Sequence, residues 1–334
     1  MRLYRLPTQT GFDDLTLTEA PRPTCGRGQV LVRMHAASLN FRDLSVATGK
    51  YMMSAVPPNL VPLSDGAGEV VAVGEGTSRV APGDRVAGIF MQGWLGGELE
   101  PPQAGTALGG AIDGVLAEYV VFDEQGLVHI PEHLSYEQAA TLPCAAVTAW
   151  NALYGLQPLQ PGQTVLVLGT GGVSMFALQF ARAAGARVIA TSSSDEKLER
   201  VRAMGASEGI NYKTNPEWQD AVRALTGGVD HVVEVGGPGT LARSLGAARR
   251  GGVVSLIGVL TRGQIDPLAI FGSGAIVRPI FVGSRQMFEA MNRAIALHRL
   301  EPVIDRTFAF DEAPQAYQHL KGATHIGKVV VRIG

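Results

Sequence analysis

The sequence predicts an α/β protein built on a doubly wound parallel sheet, inserted into a second domain that is rich in β-strand. Three observations predict it. Residues 165–168 (VLVL) are an apolar run of the length of a strand buried on both faces, and 169–174 (GTGGVS) crowd glycines into the turn that follows. Apolar residues then recur at helical spacing (Val173, Phe176, Ala177, Phe180, Ala181) up to a stop at Gly185. From there to about residue 282, strand-like and helix-like segments alternate, which is the pattern of a parallel sheet covered on both faces.

The elements justify this in order. Before residue 125 the chain reads as strands at 30–34, 68–73, 85–89 and 114–121, separated by Gly/Pro punctuation such as the turn at 81–84. Residues 91–110 are rich in Gly and Pro without periodicity and read as a surface loop. Ser135 with Gln138 three residues on forms a capping box, the start of a helix. After the glycine turn come strands at 187–191, 208–212, 230–235, 252–257 and 275–282, with helices at 195–204, 217–225 and 241–248 between them. A closing helix at 312–321 and strand at 328–333 break the alternation and are assigned back to the first domain. The expected boundaries are therefore 1–125 with 286–334 for the β-rich domain, and 126–285 for the inserted one.

Composition narrows the class. Of 334 residues, 46% are hydrophobic and 17% charged, which suits a globular core and excludes disorder. A formal net charge of −2 gives no reason to expect nucleic acid as a partner. No segment reaches the roughly 18 consecutive apolar residues of a membrane span, and 1–11 (MRLYRLPTQTG) lacks the apolar stretch of a secretory signal. Two cysteines, Cys25 and Cys144, are too few for a disulfide framework. A soluble cytoplasmic protein, with neither nucleic acid nor membrane as partner, is expected.

A strand, a glycine turn and a helix together make a dinucleotide cradle. Gly169, Thr170, Gly171, Gly172 and Val173 would bring backbone amides at the helix N-terminus against a pyrophosphate. The three-glycine fingerprint is one residue short, since Ser174 stands at its last position. Cofactor choice is read about 20 residues on, at the end of the second strand, where an acid would repel a 2′-phosphate. That stretch is Thr191-Ser192-Ser193-Ser194, with no carboxylate until Asp195. NADP(H) is the expected cofactor, with Ser192 and Lys197 as phosphate contacts. The plainer alternative is that the serines cap the helix and Lys197 is a solvated charge.

Several further stretches carry a resemblance: 39–43 (LNFRD), 62–74 (PLSDGAGEVVAVG), 82–86 (PGDRV), 114–120 (GVLAEYV), 142–153 (LPCAAVTAWNAL), 233–237 (VEVGG) and 327–331 (GKVVV). With the glycine turn, they make the chain resemble the medium-chain dehydrogenase/reductase superfamily over nearly its full length. The resemblance implies a Rossmann domain inserted into a GroES-like β-barrel domain. Many members bind a catalytic zinc through Cys, His and Cys, but the matching positions here hold Asn40, Ser64 and Cys144. No metal is therefore expected, and the chain is similar to the zinc-lacking, quinone oxidoreductase-like branch.

What the resemblance implies is hydride transfer from NADPH to a quinone or α,β-unsaturated carbonyl, acceptors whose negative charge spreads onto oxygen without a metal. Asn40, Asp43, Tyr51 and Ser64 are the implied catalytic residues: Asn40 to orient substrate or nicotinamide, Tyr51 to donate to the substrate oxygen, Ser64 with Asp65 as a proton source. Each has a plainer alternative in ordinary loop or core packing. Implied cofactor contacts are Thr148, Tyr212, Gly236, Gly258, Val259, Leu260, Val282, Gly283, Ser284 and Lys328, with Arg285 near them. The edge strand at 275–282 implies a homodimer. Two other functions stay open: an NADP-dependent alcohol dehydrogenase or carbonyl reductase, and a non-enzymatic NADPH-binding protein.

Overall fold

A computed structural model describes residues 1–260 and 263–334. The chain divides into two units, Met1–Val147 with Gly283–Gly334, and Thr148–Val282. The first unit opens with strands β1 (Arg2–Arg5), β2 (Thr16–Glu19), β3 (Gln29–Leu39), β4 (Asp65–Val73), β5 (Arg85–Gly88), β6 (Tyr119–Asp123) and β7 (Leu127–His129). The second holds β8 (Thr164–Leu168), β9 (Arg187–Ser192), β10 (Glu208–Asn211), β11 (Val229–Glu234), β12 (Ala248–Leu256) and β13 (Ile276–Pro279). The chain then returns to the first unit as β14 (Ile304–Ala309) and β15 (Lys328–Arg332).

In the first unit β3 is the central strand. This eleven-residue strand pairs antiparallel with β4, β6 and β15 in a seven-stranded sheet of order β14-β15-β3-β4-β5-β7, with β6 branching off beside β3. Val30, Val32, Met34 and Ala37 of β3 enter a core shared with Leu63, Val115, Phe308 and Tyr317. The register gathers distant residues at one end of the sheet: Leu39 pairs with Val329 and Ser38 with Asp65, so the end of β3 is flanked by the starts of β15 and β4.

The second unit has the expected alternation and parallel pairing throughout, in the order β10-β9-β8-β11-β12-β13. This order reverses between β8 and β11, and in open α/β sheets ligands bind beyond the carboxyl ends of the strands at that point. β8 is buried on both faces, which is why its sequence shows no alternation.

Two expectations need correction. The segment 126–147, assigned to the second unit from its helical texture, lies in the first, because β7 pairs antiparallel with β5. Ser135 does open the short helix Tyr136–Ala139, its hydroxyl accepting from Gln138 N (3.2 Å) while Gln138 Oε1 accepts from Ser135 N (2.9 Å). The stretch 91–110 is not simply a surface loop: Met91, Trp94, Ala107 and Leu108 are buried, and Gln92 N donates to Thr106 O at 3.1 Å. Its far side is fixed where Arg285 N and Gln286 N, opening the helix Arg285–His298, donate to Trp94 O and Leu95 O.

Candidate active site

The register at the end of β3 brings four distant parts of the chain together. Lys328, the first residue of β15, is 3% exposed and its ammonium donates to Leu39 O at 2.7 Å and to Asn40 Oδ1. Asp65, the first residue of β4, is fully buried with Oδ2 3.9 Å from Lys328 Nζ. Its Oδ1 accepts from Ser64 Oγ (2.6 Å) and its Oδ2 from Cys144 N (3.0 Å). Cys144 lies on a π-helical turn, Leu142–Ala146, a distortion that often marks functional sites. Leu63, just before Ser64, is held at a φ of 68°, a left-handed conformation costly for a residue with a Cβ. Val115 N locks this turn by donating to Leu63 O at 2.9 Å.

Asn40 occupies the N-cap position of the helix Phe41–Ala47, and Asp43 Oδ2 accepts from Asn40 N at 2.6 Å. An asparagine there ordinarily turns its oxygen toward the helix amides. Here Lys328 has drawn that oxygen away. Asn40 Nδ2 is buried with no hydrogen-bond partner of ordinary geometry among the described residues, close enough to Asp65 to favour its ionised form.

Burial dominates the electrostatics. It raises the pKa of Asp65, opposed by the Lys328 charge, by hydrogen bonds from Ser64 and Cys144, and by the Asn40 amide close by. It raises Asp43 from 3.8 to about 6, opposed by Arg42 and the Asn40 amide and reinforced by Asp65. The Cys144 thiol is pushed up to about 12 by burial and then by Asp65, so it is protonated at neutral pH. Tyr51 is raised too, chiefly by burial, and its hydroxyl keeps its proton.

The expected catalytic residues thus divide. Asn40 and Tyr51 carry donor groups suited to a substrate oxygen. Asp43 is 1% exposed and holds the Asn40 backbone amide, and Ser64 is fully buried and donates to Asp65, so each is bonded to a neighbour in the cluster. Sequence reasoning missed Arg42, although it stands inside 39–43. Its guanidinium lies 4.9 Å from the Tyr51 ring centroid and 4.4 Å from that of Phe90, and Nη1 donates to Leu108 O at 2.9 Å. Lys328, expected at the dinucleotide, donates to Leu39 O and Asn40 Oδ1. Arg285 donates to Gln125 at 2.7 Å and 3.0 Å. His129 and His133 bond to Asp84 and Leu300 O, two separate partners.

In the second unit the glycine turn is built to admit a ligand. Gly169 has a φ of 68°, and a Cβ on it or on Gly171 would meet nothing within 4 Å. Thr170 and Val173 lie on the same turn, and Gly171 leaves the first amides of the helix Gly172–Ala183 without a side-chain cap. Ser174 explains the short fingerprint: buried at 1%, its hydroxyl donates to Leu168 O at 2.6 Å. Ser192 ends β9 and accepts from Ser194 N at 3.3 Å, while Ser194 caps the helix Asp195–Ala203 by accepting from Lys197 N. Asp195 is occupied by Asn211 Nδ2 at 2.8 Å, and Tyr212 beyond β10 is exposed.

Beyond β11, Glu234 organises the next loop. Fully buried, it accepts from Gly236 N (2.7 Å), Gly237 N (2.9 Å), Thr240 Oγ1 (2.6 Å) and Ser244 Oγ. Gly258, Val259 and Leu260 run alongside, with Leu260 N donating to Gly236 O at 3.1 Å. Val282 has a φ of 55°, an outlier for a β-branched residue, and its carbonyl accepts from Asn151 Nδ2 at 2.7 Å. Arg278 in turn holds the Asn151 amide through Oδ1 at 2.9 Å. Thr148 is buried in the helix Val147–Tyr154, Gly283 follows Val282 and Ser284 caps the helix Arg285–His298.

Comparison with known proteins gives the family and the fold. Residues 26–132 match the alcohol dehydrogenase GroES-like domain family, and 172–296 the zinc-binding dehydrogenase family. A zinc-type alcohol dehydrogenase-like protein of Schizosaccharomyces pombe is 46% identical over 335 residues, covering 97% of this chain and 96% of the relative. A structure assigned as an alcohol dehydrogenase of Sinorhizobium meliloti 1021 superposes with a TM-score of 0.92 at 42% identity, covering 99% of this chain and 98% of that one. An NAD-dependent alcohol dehydrogenase follows at 0.91 and 33%, with full coverage of both chains. The quinone oxidoreductase of Coxiella burnetii superposes at 0.82 and 26%, covering 100% and 99%.

Proposed function

Because the chain belongs to the medium-chain dehydrogenase/reductase superfamily, as a zinc-type alcohol dehydrogenase-like oxidoreductase, we propose that it reduces a quinone or an α,β-unsaturated carbonyl with NADPH and without zinc. One observation carries the reading: the buried ammonium of Lys328 on Asn40 Oδ1, beside Asp65. The zinc implied by the family's description does not fit these residues. At the three positions where the resemblance places metal ligands stand an amide whose oxygen an ammonium holds, a hydroxyl donated to Asp65, and a thiol. Among the described residues no three His, Cys, Asp or Glu side chains could hold a metal together. An amide and a hydroxyl are poor partners for one thiolate.

The residues of the second unit fit a dinucleotide. Space in front of Gly169 and Gly171 and the uncapped helix amides would receive the pyrophosphate. The hydroxyl at Ser192 stands where an acid would select NAD(H), and Asp195 is turned to Asn211, which supports NADP(H). When bound, NADPH supplies the hydride. Asn40 and Tyr51 then act on the substrate oxygen: the amide donates as charge gathers there, and the phenol, kept protonated by burial, donates beside it. Much of the rate comes from this positioning.

A second reading, an NADP-dependent alcohol dehydrogenase or carbonyl reductase, draws on what the relatives are named. Metal-depleted protein offered NADPH with quinones, enones, aldehydes and ketones separates the two. Faster oxidation with quinones and enones supports the proposal, and faster turnover of simple ketones or alcohols replaces it. Quaternary structure belongs to the same reading. The edge strand β13 is followed and preceded by exposed apolar side chains, Phe281 at 41% and Phe271 at 87%, which supports a homodimer. Among the described residues no helix is long and apolar enough to cross a membrane. A cytoplasmic site is proposed from the two cysteines, both free.

A further inference from the structure

Lys328 is the least explained charge in the first unit. An ammonium buried to 3% exposure is unusual, and two of its three N–H groups are spent on Leu39 O and Asn40 Oδ1. Its place is dictated by the fold. Gly327, at a φ of 79°, passes so close to Val303 that a Cβ there would lie 2.2 Å from the carbonyl oxygen, and the turn delivers Lys328 opposite the end of β3. The bond to Asn40 has a chemical consequence. An amide oxygen facing an ammonium cannot be exchanged for the amide nitrogen, since two donors would then meet. The side chain is held in one of its two orientations, with Nδ2 turned to the side of Asp65.

That nitrogen is only partly satisfied. Asn40 is 9% exposed, and Nδ2 is buried near Asp65 but makes no hydrogen bond of ordinary geometry among the described residues. A buried donor in that state calls for a water, an ion or a ligand to complete it. We infer that Lys328 is a positioning residue of the reaction site: it fixes and polarises the Asn40 amide so that Nδ2 meets the acceptor oxygen as that oxygen becomes anionic. Hydride from NADPH adds to an acceptor carbon with its electron pair. The displaced π pair moves to the oxygen, which takes the Nδ2 hydrogen bond, and a proton from solvent completes the reduction. A resident cation behind an amide does work that a metal does elsewhere, and Asp65 keeps that cation balanced in the interior. This rests on the function proposed above.

The test compares K328M with the double variant D65N/K328M in the full-length protein, using NADPH and a naphthoquinone. K328M leaves Asp65 buried and uncompensated, so its melting temperature falls, and the double variant recovers it. Fixation of one donor to a developing oxyanion predicts a loss in kcat of about 10- to 100-fold in both variants. The dissociation constant for NADPH, read by fluorescence, stays within about threefold, since the role inferred for Lys328 is on Asn40. A double variant that regains kcat along with stability overturns the inference, as does K328M with kcat within about twofold of wild type. A wild type inert toward quinones and enones, or active only with zinc, overturns the proposed function itself. Wild-type activity beside unaffected variants overturns the role of Lys328 alone.

Discussion

Replacing Asp43 with asparagine should shift stability in the variant's favour, relative to wild type, as pH rises from acid to neutral. Asp43 is 1% exposed, and its pKa rises from 3.8 to about 6 because burial outweighs the help of Arg42 and the Asn40 amide. In the unfolded chain an aspartate titrates near 3.9. Between about pH 4 and pH 6 the folded protein therefore keeps a proton that the unfolded chain has released, and stability falls as pH rises through that window. A gap of about two pKa units corresponds to about 3 kcal/mol, of which about 2 kcal/mol is lost between pH 4.5 and pH 7.5. D43N has no such proton to lose, and its Oδ1 can still accept from Asn40 N. Any fixed cost of the new NH2 group cancels when the variant is compared with wild type at the two pH values. The stability difference should move in favour of D43N by about 2 kcal/mol from pH 4.5 to pH 7.5, or about 4–8 °C in the melting temperature of this unit. Thermal unfolding followed by circular dichroism at both pH values measures it. A difference independent of pH would show that Asp43 is not held near 6, and the electrostatic account of this cluster would fail.

Other outcomes rest on single contacts. S192D keeps an acceptor for Ser194 N and introduces the charge that repels a 2′-phosphate, so the ratio of kcat/KM for NADPH over NADH should drop about 10- to 100-fold. E234A removes the acceptor of four hydrogen bonds in a fully buried position, and should cost about 3–5 kcal/mol in denaturant unfolding of the second unit. With its thiol pushed up to about 12, Cys144 should react with a disulfide reagent far more slowly than Cys25 in the native protein, and equally fast in denaturant. Mass spectrometry of the partially modified protein decides that point.

Much of the second unit was legible because its signals are local. A buried strand, a glycine turn and an amphipathic helix lie within about 20 residues, and the alternation repeats them. Ser174 stood out as an anomaly, and its bond to Leu168 O shows how a hydroxyl serves at the third glycine position. Residues 126–147 were misassigned because a capping box announces a helix without saying which sheet it packs on. Buried but aperiodic residues such as Trp94 and Leu108 made 91–110 look like a loop on the surface. The left-handed turn at Val282 contradicts the preference of a β-branched residue, and Asn151 and Arg278 hold it from elsewhere in the chain. Lys328 and Asn40 are 288 residues apart and meet only through the pairing of β15 with β3. The motif 327–331 drew attention to the lysine; the sheet register brings it to Asn40.

The central claim is a hydride transfer that uses NADPH and needs no metal. Its most direct test is kcat/KM with a quinone for NADPH and for NADH, on protein whose zinc content is determined in the same preparation. Full activity with negligible zinc, unchanged by a chelator and higher with NADPH, is the predicted result. Stoichiometric zinc whose removal abolishes turnover, or a preference for NADH, would contradict it.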